Sequence, residues 1–243
     1  MKTVRGILAL VLAITMLAAV GCGSTPANTD GTESTGNNTN DNPNGAGSGT
    51  RGSSLSELAS NWQVGEIMPH FGEYEGKDIA WQVLAVEDGK ALIITTNALE
   101  ARPYNDTLEA TTWETSTLRT WLNGEFLSSA FRWSPDILTT QVVNPDNAEH
   151  KTAGGNETTD KIFLLSIDEV NTYLSSDSAR AADLFSPADG QTPSSWYWWL
   201  RSPGTDSNHA AVVSNDGSLI ADGLDVHSPG GAVYVRPALW LIL

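Results

Sequence analysis

One stretch limits the fold of this chain more than any other: residues 196–204, which read Trp-Tyr-Trp-Trp-Leu-Arg-Ser-Pro-Gly. Three tryptophans and a tyrosine occupy four consecutive positions, and the run ends at a Ser-Pro-Gly turn signal. Aromatic side chains favour strands and bury large areas when a protein folds. The stretch therefore predicts a central strand over residues 196–201 that other elements must cover.

Two arginines stand inside apolar runs. Arg201 ends the predicted strand, and Arg236 lies in the closing segment Val-Arg-Pro-Ala-Leu-Trp at residues 235–240. A guanidinium that is taken out of water needs carboxylate or carbonyl partners. Asp168 and Glu169 are the candidate acidic partners of Arg201, and the sequence alone does not choose between them. We therefore predict a set of structural anchors made of the two arginines and two neighbouring tryptophans: Arg201, Arg236, Trp198 and Trp199.

The start of the chain has the pattern of a secretory signal. Lys2 and Arg5 precede an apolar run at residues 7–20, which is too short to span a bilayer because a spanning helix needs about 20 residues. The run ends in Ala-Ala-Val-Gly-Cys, and Cys22 is the only cysteine of the chain. This segment resembles the lipobox of bacterial lipoproteins. The resemblance implies a signal peptide at residues 1–22, lipidation of Cys22 with chains such as palmitate, and a cell-membrane location on the extracytoplasmic side.

Composition then divides the rest of the chain. Residues 23–54 are rich in Gly, Ser, Thr and Asn, which predicts a disordered linker, because such a segment buries too little apolar surface to offset its ordering entropy. All nine tryptophans lie in residues 55–243, which predict one globular domain. The formal net charge of −16 argues against nucleic acid and against a basic membrane-binding patch as partners.

Local signals within residues 55–243 indicate an α+β domain. Apolar runs at 79–86 and 91–96 flank Asp88-Gly89, which predicts a hairpin. A helix is predicted from an N-cap at Thr115 to a stop at Gly124, and another after a capping box at residues 166–169. Further strands are expected at 138–143, 161–165, 210–213, 219–221 and 232–235. The predicted fold is a single domain with an antiparallel β-sheet core, two or three short helices and long loops.

Several motifs together are similar to a large bacterial family that is catalogued only as a domain of unknown function and often occurs on secreted proteins and lipoproteins. They lie at residues 79–84, 113–123 and 163–166, and include Trp-Trp-Leu-Arg-Ser-Pro-Gly at 198–204 and Val-Arg-Pro-Ala-Leu at 235–239. The family has no established activity, so it transfers no functional residues. Its order of elements resembles the C-type-lectin-like fold, which formylglycine-generating enzymes also use. That step is a fold-level analogy.

Polar residues near the turns of the last strands are the candidate binding residues. Calcium needs several oxygen ligands from converging loops, whereas Asp and Asn before glycine are also ordinary turn residues. Both readings stay open for five side chains: Asp206, Asn208, Asp216, Asp222 and Asp225. Trp196 and Tyr197 either lie at the rim of their strand and stack on a ligand, or belong to the core. The candidate ligand-binding set is Trp196, Tyr197, Asp206, Asn208, Asp216 and Asp225.

Enzyme signatures are missing from the sequence. It contains no GxSxG, Walker loop or GxGxxG, and His209 and His227 lack the spacing of a zinc site. We therefore expect no catalytic residues, no resident metal and no cofactor, with Ca²⁺ as the open alternative. The expected function is a lipid-anchored recognition module for a glycan or a cell-surface protein. A structural envelope component and an unrecognised hydrolase are the alternatives.

Overall fold

The structure is a computed structural model that describes residues 62–68, 70–132, 136–185, 193–228 and 232–243. These residues form a single domain that is mostly β-sheet with a few short helices, in agreement with the α+β class. Within these ranges, none of the helices is long and apolar enough to cross a membrane.

The strands, in chain order, are β1 (Ile67–Met68), β2 (Glu73–Tyr74), β3 (Lys77–Asp78), β4 (Trp81–Glu87), β5 (Lys90–Thr95), β6 (Thr140–Val142), β7 (Thr158–Asp160), β8 (Tyr197–Pro203), β9 (His209–Ser214), β10 (Leu219–Asp225), β11 (Val233–Tyr234) and β12 (Ala238–Ile242). The helices are α1 (Thr117–Trp121), a π-helix (Leu122–Phe126), α2 (Leu127–Ala130), α3 (Ile167–Tyr173) and α4 (Asp177–Arg180).

The first four-stranded sheet has the order β1-β4-β5-β12. Asp88 (φ 47°) and Gly89 (φ 72°) both adopt positive φ between β4 and β5, so the predicted hairpin is confirmed. The closing strand β12 pairs antiparallel with β5, with Ala238 opposite Ile94. This pairing covers the buried strand β5 with the last residues of the chain.

The second four-stranded sheet has the order β10-β9-β8-β11, and the aromatic strand β8 is central in it, as predicted. Trp198 and Trp199 are fully buried. The expectation of a purely antiparallel sheet is wrong at β11, which runs parallel to β8 with Val233 opposite Tyr197. Because β10 runs in the same direction as β8, the chain must return along the sheet before β11 begins.

The helix that was predicted from Thr115 to Gly124 has different ends. Ser116 is its N-cap and accepts a hydrogen bond from the amide of Arg119. The chain does not stop at Gly124, which lacks the positive φ of a helix C-cap, but continues through the π-helix into α2. The side-chain Nδ2 of Asn123 donates to the backbone carbonyl of Arg119. A side chain therefore takes part in the helical hydrogen-bond pattern at the point where the π-helix begins.

Other predictions differ in extent. Residues 161–165 contain one isolated bridge, Phe163 to Ala238, instead of a strand, and the predicted strand at 138–143 is limited to β6, which pairs with β7. The capping box at Ser166 and Glu169 is confirmed and opens α3. The predictions for Cys22, the signal peptide (1–22) and the linker (23–54) lie outside the described residues, as do residues 55–61 of the predicted domain.

Candidate functional site

The polar loops at one end of the second sheet form the candidate site. We call this region the loop face; it comprises the β8–β9 turn, the second half of β10 and the loop at residues 144–156. The pairing of His209 with Asp225 places the β8–β9 turn and the end of β10 side by side. The side chains concerned are Glu149, His150, Asp206, Asn208, His209, Asp222 and Asp225.

Asn147 fixes the long loop to the sheet. Its side chain is buried, and its Nδ2 donates to the carbonyls of Pro203 and Ala221, both at 2.9 Å. Its Oδ1 accepts from the amides of Glu149 (3.0 Å) and His150 (3.3 Å). Because a buried amide that lost these partners would carry a desolvation penalty, the loop is held in one position against the end of β8 and the first half of β10.

Two glycines allow the backbones of the loop face to approach closely. A Cβ on Gly204 would lie 2.3 Å from the carbonyl oxygen of Asp222, and a Cβ on Gly223 would lie 2.3 Å from that of Ala210. Gly223 also has a φ of 76°, which disfavours other residues. The polar side chains are therefore displayed from a tightly packed backbone.

Histidine–carboxylate pairs connect the loops. His209 contacts Asp206 through Nδ1 (2.7 Å) and Asp225 through Nε2 (3.2 Å). His150 Nε2 lies 2.7 Å from Asp222 Oδ1. The hydrogen bond from His209, together with one from the amide of Asn208, lowers the pKa of the exposed Asp206 carboxyl.

The five oxygen-bearing residues considered as calcium ligands do not converge on one point. Asp206 and Asp225 contact opposite nitrogens of His209, while Asp222 faces His150. Asp216 lies in the turn at the far end of the β9–β10 hairpin, where the amide of Ser218 donates to it and lowers its pKa.

A different set of groups meets the geometric requirement for a metal ion. The ligand atoms of Glu149, His150 and Asp222 lie within 4.8 Å of one another. In the described part of the chain, this is the group of three such residues that could hold an ion. Two of its members, Glu149 and His150, are absent from the candidate residues drawn from the sequence.

Trp196 and Tyr197 lie at the start of β8, the end opposite the loop face. Trp196 is only 2% exposed and packs edge-on against Tyr234, with ring centroids 5.5 Å apart. Placement of Trp196 at a ligand-accessible rim is therefore wrong, because its ring faces are covered by the core. Tyr197 is half-buried.

Arg201 is buried between three segments of the chain. Its guanidinium donates to both carboxylate oxygens of Glu169, with 2.8 Å from Nη2 to Oε1. It also donates to the carbonyls of Val143 (2.9 Å) and Leu164 (2.6 Å). Of the two candidate acidic partners, Glu169 rather than Asp168 is the one that pairs with Arg201.

Arg236 is equally buried but contacts a different set of groups. Nε donates to the carbonyl of Thr95 (2.9 Å) and Nη1 to that of Arg180 (3.1 Å). Its guanidinium carbon lies 5.0 Å from the ring centroid of Trp198. Burial lowers the pKa of Arg236 to about 10, since charge is disfavoured away from water.

A cleft of about 260 Å³ opens between α3 and the loop at 144–156. We call it the loop-face cleft. Its apolar surface comes from residues such as Ile167 and Leu219, and its hydrogen-bonding groups include three carboxylates: Asp146, Glu149 and Asp168. The sequence analysis did not identify this cleft, because its carboxylates lie on two separate segments, at residues 146–149 and 168, and no local pattern shows that these segments meet.

The chain belongs to the DUF6273 family of domains of unknown function, whose match covers residues 88–243. No curated protein and no solved structure matches the chain.

Proposed function

For this member of the DUF6273 family, we propose the function of a lipid-anchored, extracytoplasmic recognition module that binds a glycan at the loop face. The observation that carries the proposal is the loop-face cleft, whose volume of about 260 Å³ suits a single sugar ring with its substituents. The proposed attachment through Cys22 and the analogy to C-type-lectin-like domains are parts of the same proposal.

The chemistry of the cleft favours a hydroxyl-rich ligand. The carboxylates of Asp146, Glu149 and Asp168 are acceptors, so they match the hydroxyl donors of a sugar. The side chains of Ile167 and Leu219 offer apolar surface to its C–H groups.

Rigidity of the surroundings supports recognition. The hydrogen bonds of Asn147, which lines the cleft, fix its loop before any ligand arrives, and the close contacts of Gly204 and Gly223 pack the backbone of the neighbouring strands tightly. A preformed site loses less conformational entropy on binding than a site that must be ordered. The absence of catalysis remains a prediction of the sequence.

The binding test uses the full-length chain, purified from membranes in detergent, on glycan and protein arrays. Glu149→Gln and Asp168→Asn should each weaken glycan binding about tenfold, because each loses a charge-assisted hydrogen bond. Asp216→Asn is the matched control, since Asp216 lies in the β9–β10 turn, where it accepts from the amide of Ser218, and its side chain does not line the cleft. An empty glycan array, or equal losses in all three variants, would contradict the proposal.

The protein array and added Ca²⁺ separate the alternatives. Binding to a protein with an empty glycan array would favour a protein ligand or an envelope assembly role. A rise in melting temperature with Ca²⁺ that Asp222→Asn removes would favour the calcium alternative. For the anchor, Cys22→Ala should release the protein from membranes and abolish palmitate labelling, and unchanged membrane retention would contradict lipidation.

A further inference from the structure

A second cleft, of about 410 Å³, lies against α1 and the π-helix, away from the loop-face cleft. We call it the Arg102 cleft. The side chains that matter for its chemistry are Arg102, Asp106, Thr117, Thr120, Trp121 and Glu125. It combines one cation, one aromatic ring, two hydroxyls and two carboxylates.

Arg102 is held firmly in this cleft. Its backbone amide donates to the carbonyl of Val233 (3.0 Å), and its carbonyl accepts from the indole of the buried Trp199 (2.8 Å). Its guanidinium carbon lies 4.1 Å from the ring centroid of Trp121, and Nε donates to Glu100 at 2.6 Å. The side chain is therefore fixed by a ring on one side and by a carboxylate at its base.

The outer edge of the same guanidinium remains available. Among residues that the structure describes, no group accepts a hydrogen bond from Nη1 or Nη2 of Arg102, and its side chain is 33% exposed. The two terminal nitrogens of a fixed guanidinium match the two oxygens of a carboxylate. Nη1 and Nη2 of Arg102 thus supply the donor side of a bidentate pair, and a ligand carboxylate would supply the acceptor side.

From this geometry we propose that the Arg102 cleft binds a carboxylate-bearing sugar, such as a uronic acid. The carboxylate of the ligand accepts from Nη1 and Nη2 of Arg102. Its hydroxyls donate to the carboxylates of Asp106 and Glu125, and accept from the hydroxyl of Thr117, whose oxygen accepts from the amide of Asp106.

Charge explains why a plain anion is a poorer ligand. Glu100 already offsets the charge of Arg102, Asp106 and Glu125 repel anions, and the chain carries a net charge of −16. A sugar acid offsets this repulsion because its hydroxyls donate hydrogen bonds to the carboxylates of Asp106 and Glu125. A simple anion lacks those donors and meets only the repulsion.

The backbone at the cleft supplies an independent indication. Trp121 immediately precedes the π-helix, and Gly124 and Glu125 lie on it while also lining the cleft. Short π-helical segments inside α-helices occur frequently at functional sites. Here the segment widens the helix where it faces Arg102.

The inference is independent of the loop-face proposal, because it names a different cleft and a different ligand chemistry. Full-length protein in detergent is titrated with galacturonate and with galactose, which lacks the carboxylate, and binding is followed by calorimetry. Galacturonate should bind at least about tenfold more tightly than galactose. The two proposals fail separately, because substitutions at Arg102 change only the Arg102 cleft, whereas Glu149 and Asp168 line only the loop-face cleft.

Substitutions at Arg102 complete the test. Arg102→Gln should abolish saturable galacturonate binding, while Arg102→Lys should weaken it about tenfold, because lysine keeps the charge but loses the two-pronged donor. Arg132→Gln, which removes an exposed arginine, is the matched control and should bind as the wild type does. Melting temperatures verify that each variant is folded.

Three results would overturn the inference. They are equal affinities for galacturonate and galactose, unchanged galacturonate binding in folded Arg102→Gln, and competition by acetate at the same concentration as galacturonate. The last result would mean that the cleft recognises a carboxylate without the sugar.

Discussion

Arg201 and Arg236 are both almost completely buried, yet the groups around them differ. Arg201 makes a two-pronged salt bridge to Glu169, whose side chain is 30% exposed, and also bonds to two carbonyls. Arg236 has carbonyl partners and the face of Trp198, and its guanidinium forms no salt bridge with any described residue.

The difference teaches how each arginine contributes. Arg201 joins α3, β8 and the segment before Asn144, so its removal affects several long-range contacts at once. Arg236 saturates carbonyls near the ends of β5 and α4, and burial makes its charge less favourable. We therefore expect Arg201 to contribute more to stability than Arg236, although both occupy similarly buried positions.

The largest effect should follow from Arg201→Met. The variant loses the bonds to Val143 and Leu164 and leaves Glu169 without its cation, which should cost about 3 to 5 kcal/mol of unfolding free energy. The loss should lie at the lower end of this range of unfolding free energy, because the Glu169 side chain is partly exposed to water. Urea unfolding, followed by tryptophan fluorescence, measures the change, and Arg132→Met serves as the exposed control. A loss below about 1 kcal/mol would contradict the role of Arg201 as an anchor.

Arg236→Met should lower the unfolding free energy by less than Arg201→Met does, by about 2 kcal/mol in the same urea experiment. Two carbonyls lose their donor, but no carboxylate is left without a cation, and methionine can still pack on Trp198. If Arg236→Met were as destabilising as Arg201→Met, the proposed difference between the two regions would be wrong.

Glu169→Gln tests the carboxylate itself and should cost about 1.5 kcal/mol. Glutamine keeps one acceptor for Arg201 and can still bond to the amide of Ser166, so the capping box survives. The adjacent Asp168→Asn is the control and should change stability by less than about 0.5 kcal/mol. Equal losses for the two variants would argue against a specific Arg201–Glu169 contribution.

Tyr104 gives the smallest effect and a dependence on pH. Its hydroxyl donates to the carbonyl of Arg201 at 3.1 Å, so Tyr104→Phe should cost about 1 kcal/mol at neutral pH. Burial raises the pKa of Tyr104 above its ordinary value of 10.0, so only the unfolded chain ionises just above that pH. The Tyr104 hydroxyl therefore contributes fully to the free energy of unfolding below pH 10. Above pH 10 this contribution falls by about 1.4 kcal/mol per pH unit.

Urea unfolding at pH 7, 10 and 11 checks this expectation. The wild type should be more stable than Tyr104→Phe at pH 7 and no more stable by about pH 11. A constant difference between the two proteins across this range would show that Tyr104 ionises equally in the folded and unfolded states.

Features that depend on neighbouring residues were predictable from the sequence. The turn at Asp88 and Gly89 and the capping box at Ser166 and Glu169 follow from backbone preferences within four residues. The burial of the aromatic strand β8 follows from its composition. The partner of Arg201 was reduced to two adjacent acids, and the third position of the helix directs Glu169 back toward the N-cap, where Arg201 lies.

Features that join distant segments were not predictable. The parallel pairing of β11 with β8 depends on the return path of the chain, which no local pattern encodes. The role of Asn147 requires β8 and β10, which are distant from it in sequence, to lie beside it, and an isolated Asn in a polar loop has the same local pattern without that role. Arg102 was missed for the same reason, since Glu100 is close in sequence but Trp121 is not.

The anchoring of Asn147 has a consequence for protein engineering. The backbone amide of Asn147 donates to the backbone carbonyl of Thr152 (2.9 Å), and its backbone carbonyl accepts from the amide of Lys151 (2.7 Å). These two bonds close a tight loop over residues 148–151. The fixed ends make these four positions a replaceable cassette. New sequences could be grafted there to alter selectivity without redesigning the scaffold, provided that position 151, with a φ of 60°, receives a residue such as glycine or asparagine.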